Sequence, residues 1–173
     1  MYVGHLGPAL GGKRLAPSVA FATLVFATYL PDWVDASLCV TGRYHDAQVY
    51  SHSIPAVIAL ATLAGASQLR SADRSAALVV AAVVISHVLL DYLTGIKPTW
   101  PGGPSIGLGM YRYPVADFAL EAAAIAGGWL MYRGTVQAEG DRWNSSTMML
   151  VPLLLLQAGV DAARLLSPSI NKC

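Results

Sequence analysis

Residues 85–92 read ISHVLLDY and close an apolar run that begins near Ser75. His87 and Asp91 are four positions apart, so on a helix their side chains share one face and lie one turn from each other. A neutral imidazole and a carboxylate at this spacing can bind one divalent cation together. Ionisable groups in a segment as apolar as lipid are costly and usually functional. The alternative is a buried hydrogen bond between His87 and Asp91 that locks two helices together.

The composition indicates an integral membrane protein. The 173 residues are 55% hydrophobic and only 12% charged, whereas soluble domains carry about 25% charged residues. This length suits one domain, so residues 1–173 are predicted to form a single membrane-embedded unit. A net charge of +1 excludes the basic surface that nucleic acids require.

Apolar runs separated by polar or glycine- and proline-rich segments predict an all-α, polytopic membrane bundle with about four or five apolar helices. Residues 1–12 and 17–30 are too short to span a bilayer, and they are predicted to form an N-terminal helical hairpin that turns at residues 13–16. Residues 97–113 contain several glycines and prolines and are predicted to form a long loop. Longer helices are expected at residues 54–69, 75–96, 114–132 and 145–166.

If successive helices cross the membrane in alternating directions, most ionisable groups of the protein lie at the same membrane face. The hairpin returns to this face at Asp32, and the helix over residues 75–96 returns to it at His87. All four histidines of the protein belong to the expected set. Convergence of this kind favours a metal site over separate structural roles. The set comprises His5, Asp32, Asp35, His45, His52, His87, Asp91, Asp117, Glu121 and Asp161.

The converging side chains offer imidazole nitrogen and carboxylate oxygen but no thiolate. This donor set suits zinc, with manganese and iron as alternatives. Several carboxylates near one another could bridge two ions, so one or two divalent metals are expected.

Four motifs follow one another in a recognisable order. They are Gly4-His5, LPDWVD at residues 30–35, SHS at residues 51–53, and HVLLD at residues 87–91 followed by Gly95. In this order they resemble the bacterial family of membrane-bound metal-dependent hydrolases. These are multi-pass inner-membrane proteins, distantly similar to zinc-dependent phospholipase C. The resemblance covers about residues 1–125, and it implies an inner-membrane hydrolase that uses a metal.

The family pattern also implies a set of metal ligands. It assigns this role to His5, to Asp32 or Asp35 of the Pro-Asp-x-x-Asp turn, and to His52, His87 and Asp91.

The phospholipase pattern adds a later His-x-x-x-Glu motif that supplies another metal. Asp117 and Glu121 have this spacing, with aspartate in place of histidine, and are added to the expected ligands. A further histidine of that pattern has no counterpart here, so one or two metals are expected rather than three. The His-Arg pair of the family reads His45-Asp46 in this chain. Any role of the lost arginine in holding an anionic substrate would pass to one of three residues, Arg43, Lys97 or Arg112.

The expected reaction is attack by water. The metal would generate hydroxide and polarise the scissile group, and Asp32, Asp35 or Glu121 would act as general base. A site at the membrane edge favours a lipid or amphiphilic ester or phosphoester as substrate. The expected partners are therefore membrane lipids and small amphiphiles rather than nucleic acids.

Two other functions are compatible with these residues. Buried histidines and acids also build the pathways of ion or metal transporters, but the halves of the two helices over residues 54–69 and 75–96 that lie away from the site contain no ionisable group. The other alternative is a membrane structural protein with a His/Asp metal site.

The basic residues favour one orientation in the membrane. Six of them, including Arg70 and Arg74, lie in turns away from the site, against five on its side. Positive residues in short loops favour the cytoplasm, so the site is expected on the outer face of the inner membrane.

Overall fold

The computed structural model describes residues 3–42, 47–70, 74–138 and 147–166. Within these ranges the chain is mostly helical, as the sequence predicted. The eight α-helices of these ranges are α1 Leu6–Leu15, α2 Phe21–Thr28, α3 Leu30–Val40, α4 Ala47–His52, α5 Ile54–Gln68, α6 Arg74–Thr94, α7 Pro114–Ala138 and α8 Thr147–Leu166.

The N-terminal hairpin forms from α1 and α2, which pack against each other. Its turn lies slightly later than expected, because α1 continues to Leu15. The next residue, Ala16, precedes Pro17 and has φ −132° and ψ 74°, since the proline ring disfavours the helical conformation in the residue before it. The ammonium of Lys13 closes the turn by donating to the carbonyls of Pro17 and Val19, at 2.6 and 3.0 Å.

Two glycines let α1 approach α7 very closely. A Cβ atom on Gly128 would collide with the backbone carbonyl of Gly7, and one on Gly7 would collide with the carbonyl of Ala124. Small residues of this kind are how helices in membranes bring their backbones together. The contact fixes α1 against α7, and with it the 3-10 turn Val3–His5 that precedes α1.

The helices α5 and α6 form a second hairpin. The buried core between this hairpin and α2 contains Leu24, Ala61, Val80 and Val84. Gly65 faces α6, where a Cβ atom would lie 2.8 Å from the carbonyl oxygen of Ala77. The buried face of α6 also includes His87, Val88 and Asp91, nearer the end of the helix.

The loop after α6 contains a short hairpin. Strand β1, Lys97–Pro98, pairs antiparallel with β2, Ser105–Ile106, and a 3-10 turn over Met110–Arg112 follows. Gly102 and Gly109 have φ of +73° and +62°, a region that side chains other than glycine rarely adopt. The glycines therefore explain why this stretch folds back instead of continuing as helix.

Among the described residues, two helices are long and apolar enough to cross a membrane. They cover Arg74–Thr94 in α6 and Pro114–Gly134 in α7, whereas the apolar parts of α5 and α8 are shorter. Large apolar side chains point outward from the helices, including Leu63, Leu78 and Leu155. Exposed apolar surface of this kind is typical of proteins that contact membrane.

Candidate metal centre

Three histidines and two aspartates from separate parts of the chain meet near one end of α6. His5 ends the first 3-10 turn, Asp32 lies in the first turn of α3, and His52 is the last residue of α4. His87 and Asp91 come from α6. All three histidines are fully buried, Asp91 is 2% exposed, and the side chain of Asp32 is 11% exposed. We call these five residues the His/Asp cluster.

Asp91 lies at the centre of the cluster. Its Oδ1 atom lies 3.3 Å from Nε2 of His5, and its Oδ2 atom lies 3.1 Å from Nε2 of His52. The same Oδ2 atom lies 3.7 Å from Nε2 of His87, one turn back on α6. The predicted sharing of a helix face by His87 and Asp91 is therefore confirmed, and two further histidines contact the same carboxylate.

Asp32 joins the two histidines on the other side. Its Oδ1 atom lies 3.4 Å from Nε2 of His52, and its Oδ2 atom lies 3.1 Å from Nε2 of His87. The ring centroids of His52 and His87 are 5.6 Å apart.

The cluster contains two groups of three residues that could each hold a metal ion. One is His5, His87 and Asp91, and the other is Asp32, His52 and His87. Within each group the potential ligand atoms lie within 4.8 Å of one another. His87 belongs to both groups, so a metal bound in either group would have His87 as a ligand.

The state of the buried nitrogens fits a metal. None of the four ring nitrogens of His5 and His87 makes a hydrogen bond of acceptable geometry to a described residue, and neither does Nε2 of His52. Buried polar atoms without a partner cost free energy, so native proteins rarely leave several of them side by side. A divalent cation bound between the carboxylates and the Nε2 atoms of the three histidines would satisfy those Nε2 atoms.

Burial and ionic contacts shift the pKa values of Asp32 and His52 in opposite directions. Burial alone would raise the pKa of Asp32, but its contacts with His52 and His87 outweigh burial and hold the pKa below the usual range. Burial would lower the pKa of His52, but its contacts with Asp32 and Asp91 raise it. The ionised form of Asp32 is therefore favoured, which is the form that binds metal.

Asp35 contacts the cluster only through a serine. The hydroxyl of Ser51 donates a hydrogen bond of 3.3 Å to Oδ1 of Asp35 and lies 2.7 Å from Nδ1 of His52. A hydroxyl that donates to Asp35 accepts the Nδ1–H of His52, which leaves Nε2 of His52 directed at the cluster. Although predicted as a ligand, Asp35 lies in neither group of three and instead supports the ring of His52.

Glu121 and Asp117 lie on α7 next to the N-terminal turn. The Oε2 atom of Glu121 accepts a hydrogen bond of 2.8 Å from the backbone N–H of Gly4. Its Oε1 atom is buried and has no hydrogen bond to a described residue. Asp117 is buried one helix turn earlier. Glu121 thus adjoins the turn that carries His5. Asp117 and Glu121 were both predicted as metal ligands, but neither belongs to the two groups of three.

Asp161 of α8 contacts the cluster region only indirectly. It accepts hydrogen bonds of 3.0 and 3.1 Å from Nε2 of Gln157, and Oε1 of Gln157 accepts one of 2.9 Å from the backbone N–H of Val3. His45, which was expected at the same face, lies outside the described residues.

Three contributing residues were not assigned these roles from the sequence. Ser51 is adjacent to His52, which was a usable signal. Gln157 is a buried amide in an apolar helix, and such groups need a partner. The ammonium of Lys97 lies 3.1 Å from Oδ2 of Asp91, and nothing in the spacing of these two residues predicts that contact.

An apolar groove of about 490 Å³ runs between α6 and α7 over the surface of α1. Its α6 wall includes Ser86 and Leu90, which are the chain neighbours of His87 and Asp91. The wall extends from Val79 to Leu93, a length of about 21 Å at the helical rise per residue. The groove therefore passes beside the turn of α6 that carries His87 and Asp91.

Comparison with known families agrees with the apolar helices and the outward-facing apolar surface. It places the chain among bacterial inner-membrane proteins. The chain belongs to the family described as YdjM inner membrane protein, whose model matches residues 2–165. No curated protein and no solved structure matches the chain. The predicted location in the inner membrane is confirmed by this family.

Proposed function

We propose that this protein is a membrane-bound metal-dependent hydrolase whose reaction takes place at the His/Asp cluster. The proposal rests on one observation. A buried cluster brings together His5, Asp32, His52, His87 and Asp91, and the Nε2 atoms of its three histidines make no hydrogen bond to a described residue. The sequence resemblance to metal-dependent hydrolases and to zinc-dependent phospholipase C supports the same reaction class.

The two groups of three residues would hold one or two ions. Zinc is the first candidate for nitrogen and carboxylate ligands in a hydrolase, with manganese and iron as alternatives. A bound divalent cation supplies Lewis acidity, which makes water a better nucleophile and polarises the scissile group.

The protein itself supplies the proton acceptor. Oδ1 of Asp35 is engaged by Ser51, so Asp35 is better suited to positioning His52 than to accepting a proton from water. Asp32 faces two histidines at once, which suits a ligand. Glu121 has one buried oxygen without a hydrogen bond to a described residue and is not in either ligand group. We therefore assign the general-base role to Glu121, with Asp32 as the alternative.

The surroundings of the cluster favour an amphiphilic substrate. The apolar groove beside α6 suits an alkyl chain, and the neighbouring cluster suits a polar ester or phosphoester group. Because the protein is in the inner membrane, such molecules surround it.

We further propose that α5 and α8 accompany α6 and α7 in the membrane, which makes the protein multi-pass.

The transporter alternative is less well supported. Between Arg74 and His87, α6 carries no ionisable side chain over about 20 Å of helix, whereas an ion pathway needs polar groups through the full thickness.

The function is tested by metal removal and return. Full-length protein purified in detergent is treated with a chelator and assayed on a panel of long- and short-chain carboxylic esters and phosphoesters. We expect hydrolysis to disappear on chelation and to return with zinc, manganese or iron. Glu121→Gln should lower kcat while the metal content is retained. Hydrolysis that is unaffected by the chelator, or absent with every metal, would contradict the proposal.

A further inference from the structure

One cation of the protein already contacts the His/Asp cluster. The Nζ atom of Lys97 lies 3.1 Å from Oδ2 of Asp91. This is the same oxygen that lies 3.1 Å from Nε2 of His52. The side chain of Lys97 is 14% exposed, so its ammonium lies between the buried cluster and the surface.

The loop that carries Lys97 is fixed against two helices. The phenol of Tyr92 donates a hydrogen bond of 3.0 Å to the carbonyl of Pro98, which ties β1 to α6. The backbone N–H of Ile54 donates one of 2.8 Å to the carbonyl of Thr99, which ties the loop to the start of α5. The backbone of Lys97 is therefore held beside Asp91, and only its flexible four-carbon side chain can move far.

A divalent cation and the ammonium of Lys97 compete for the same carboxylate. Two positive charges about 4 Å apart repel each other strongly in a site with little water, so a metal on Asp91 disfavours the present position of the ammonium. The displaced ammonium remains next to the cluster, because β1 holds its backbone there. Its three donors then need a new acceptor, and a negatively charged oxygen of a substrate is the best available.

We propose that Lys97 is the anion-recognition residue of this site, which binds Asp91 in the absence of metal and an anionic phosphate oxygen of the substrate when metal is present. This inference rests on the proposed function, and it narrows the substrate from esters in general to phosphoesters. The phosphate group belongs either to a lipid headgroup or to a small soluble phosphoester.

The first measurement uses metal alone. Manganese is titrated by calorimetry into detergent-purified, metal-free full-length protein and into Lys97→Met. Removal of the competing ammonium is expected to tighten manganese binding about threefold or more. Arg112→Gln is the control, because Arg112 is an exposed cation of the same loop region and should leave the affinity unchanged.

The second measurement uses phosphate on the manganese-loaded protein. Glycerol phosphate in solution and phosphatidic acid in mixed micelles are the two probes, and micelles of the same detergent with diacylglycerol, which has no phosphate, are the blank. Lys97→Met is expected to weaken phosphate binding about tenfold, the usual effect of losing a hydrogen bond to a charged group. Lys97→Arg should retain most of the binding. A loss with both probes assigns a free phosphoester, and a loss only with phosphatidic acid assigns a lipid headgroup.

Equal phosphate affinity in wild type and Lys97→Met would overturn the role of Lys97 while the metal site stands. Weaker manganese binding in Lys97→Met would also overturn it, because Lys97 would then support the cluster instead of competing with metal. Failure of the wild-type protein to bind manganese, zinc or iron would overturn the proposed function, and this inference with it.

Discussion

The Oγ atom of Ser51 lies 2.7 Å from Nδ1 of His52, between that ring and Oδ1 of Asp35. This contact predicts the effect of Ser51→Ala, which leaves the ring of His52 without its orienting partner. Loss of such support lowers metal affinity about 10- to 100-fold. The measurement is a zinc titration against a chromophoric chelator. Ser53→Ala is the matched control, because Ser53 is also buried next to His52 but its side chain does not cap α5. Equal affinities in the two variants would contradict the role of Ser51.

Because His87 belongs to both groups of three, we predict that its loss reduces the metal content more than the loss of His5 does. His87→Ala removes a ligand from both groups, so we expect it to lose essentially all bound metal. His5→Ala leaves the group of Asp32, His52 and His87 intact and should retain part of the metal. Elemental analysis of purified protein measures the difference. Full metal content in His87→Ala would exclude the cluster as the metal site, provided that circular dichroism shows an intact fold.

The close approach of α1 and α7 predicts opposite effects for two adjacent glycines. A methyl group on Gly128 collides with the carbonyl of Gly7, whereas one on Gly127 meets nothing within 4 Å. Gly128→Ala should therefore lower the free energy of unfolding by about 1–3 kcal/mol, the usual cost of overpacking. Gly127→Ala should leave it unchanged or raise it by up to about 1 kcal/mol, because alanine favours helix over glycine. Thermal unfolding in detergent compares them, and equal melting temperatures would argue against the close contact of α1 with α7.

The groove beside α6 predicts a dependence on substrate chain length. Ala82 lines the groove, so Ala82→Phe should fill part of it and raise KM for long-chain substrates more than for short-chain ones. Metal content should stay unchanged, because Ala82 does not belong to the cluster. Ile85→Phe is the control, since Ile85 is 41% exposed and does not line the groove. A similar KM change for long and short chains in Ala82→Phe would show that alkyl chains bind elsewhere.

The distribution of basic residues predicts that the cluster faces away from the cytoplasm. A reporter that works only in the cytoplasm should be active when fused after Ser71 and silent when fused after Gly102. The two positions follow α5 and α6 respectively, at opposite ends of α6. Activity after Gly102 with silence after Ser71 would reverse the orientation and leave the metal site unaffected.

The sequence was most informative where short-range physics decides the structure. Apolar runs interrupted by proline, glycine and charge predicted α5, α6, α7 and α8 within a few residues, apart from the later end of α7. The i, i+4 spacing of His87 and Asp91 predicted their common face. The hairpin of α1 and α2 was also predicted, although α1 extends to Leu15 because Pro17 sets the break.

The pairing of ligands could not be predicted, because it depends on how distant elements pack. Nothing local distinguishes Asp32 from Asp35, yet the start of α3 turns Asp32 towards His87 and Asp35 towards Ser51. The six-residue α4, which carries His52, has too few apolar residues for a recognisable helical period. The contact of Lys97 with Asp91 requires the β1–β2 hairpin to fold back over α6, and loop geometry of this kind is not encoded in a simple residue pattern.

The hydrogen bond from Val3 to Gln157 has a consequence for synthesis of the protein. The turn that presents His5 is secured by a side chain of α8, which leaves the ribosome after every other described helix. A growing chain thus contains His52, His87 and Asp91 well before the support for His5 arrives. The turn that carries His5 therefore gains this contact only after α8 has been synthesised, so a chain that stops before α8 lacks one of the supports of His5.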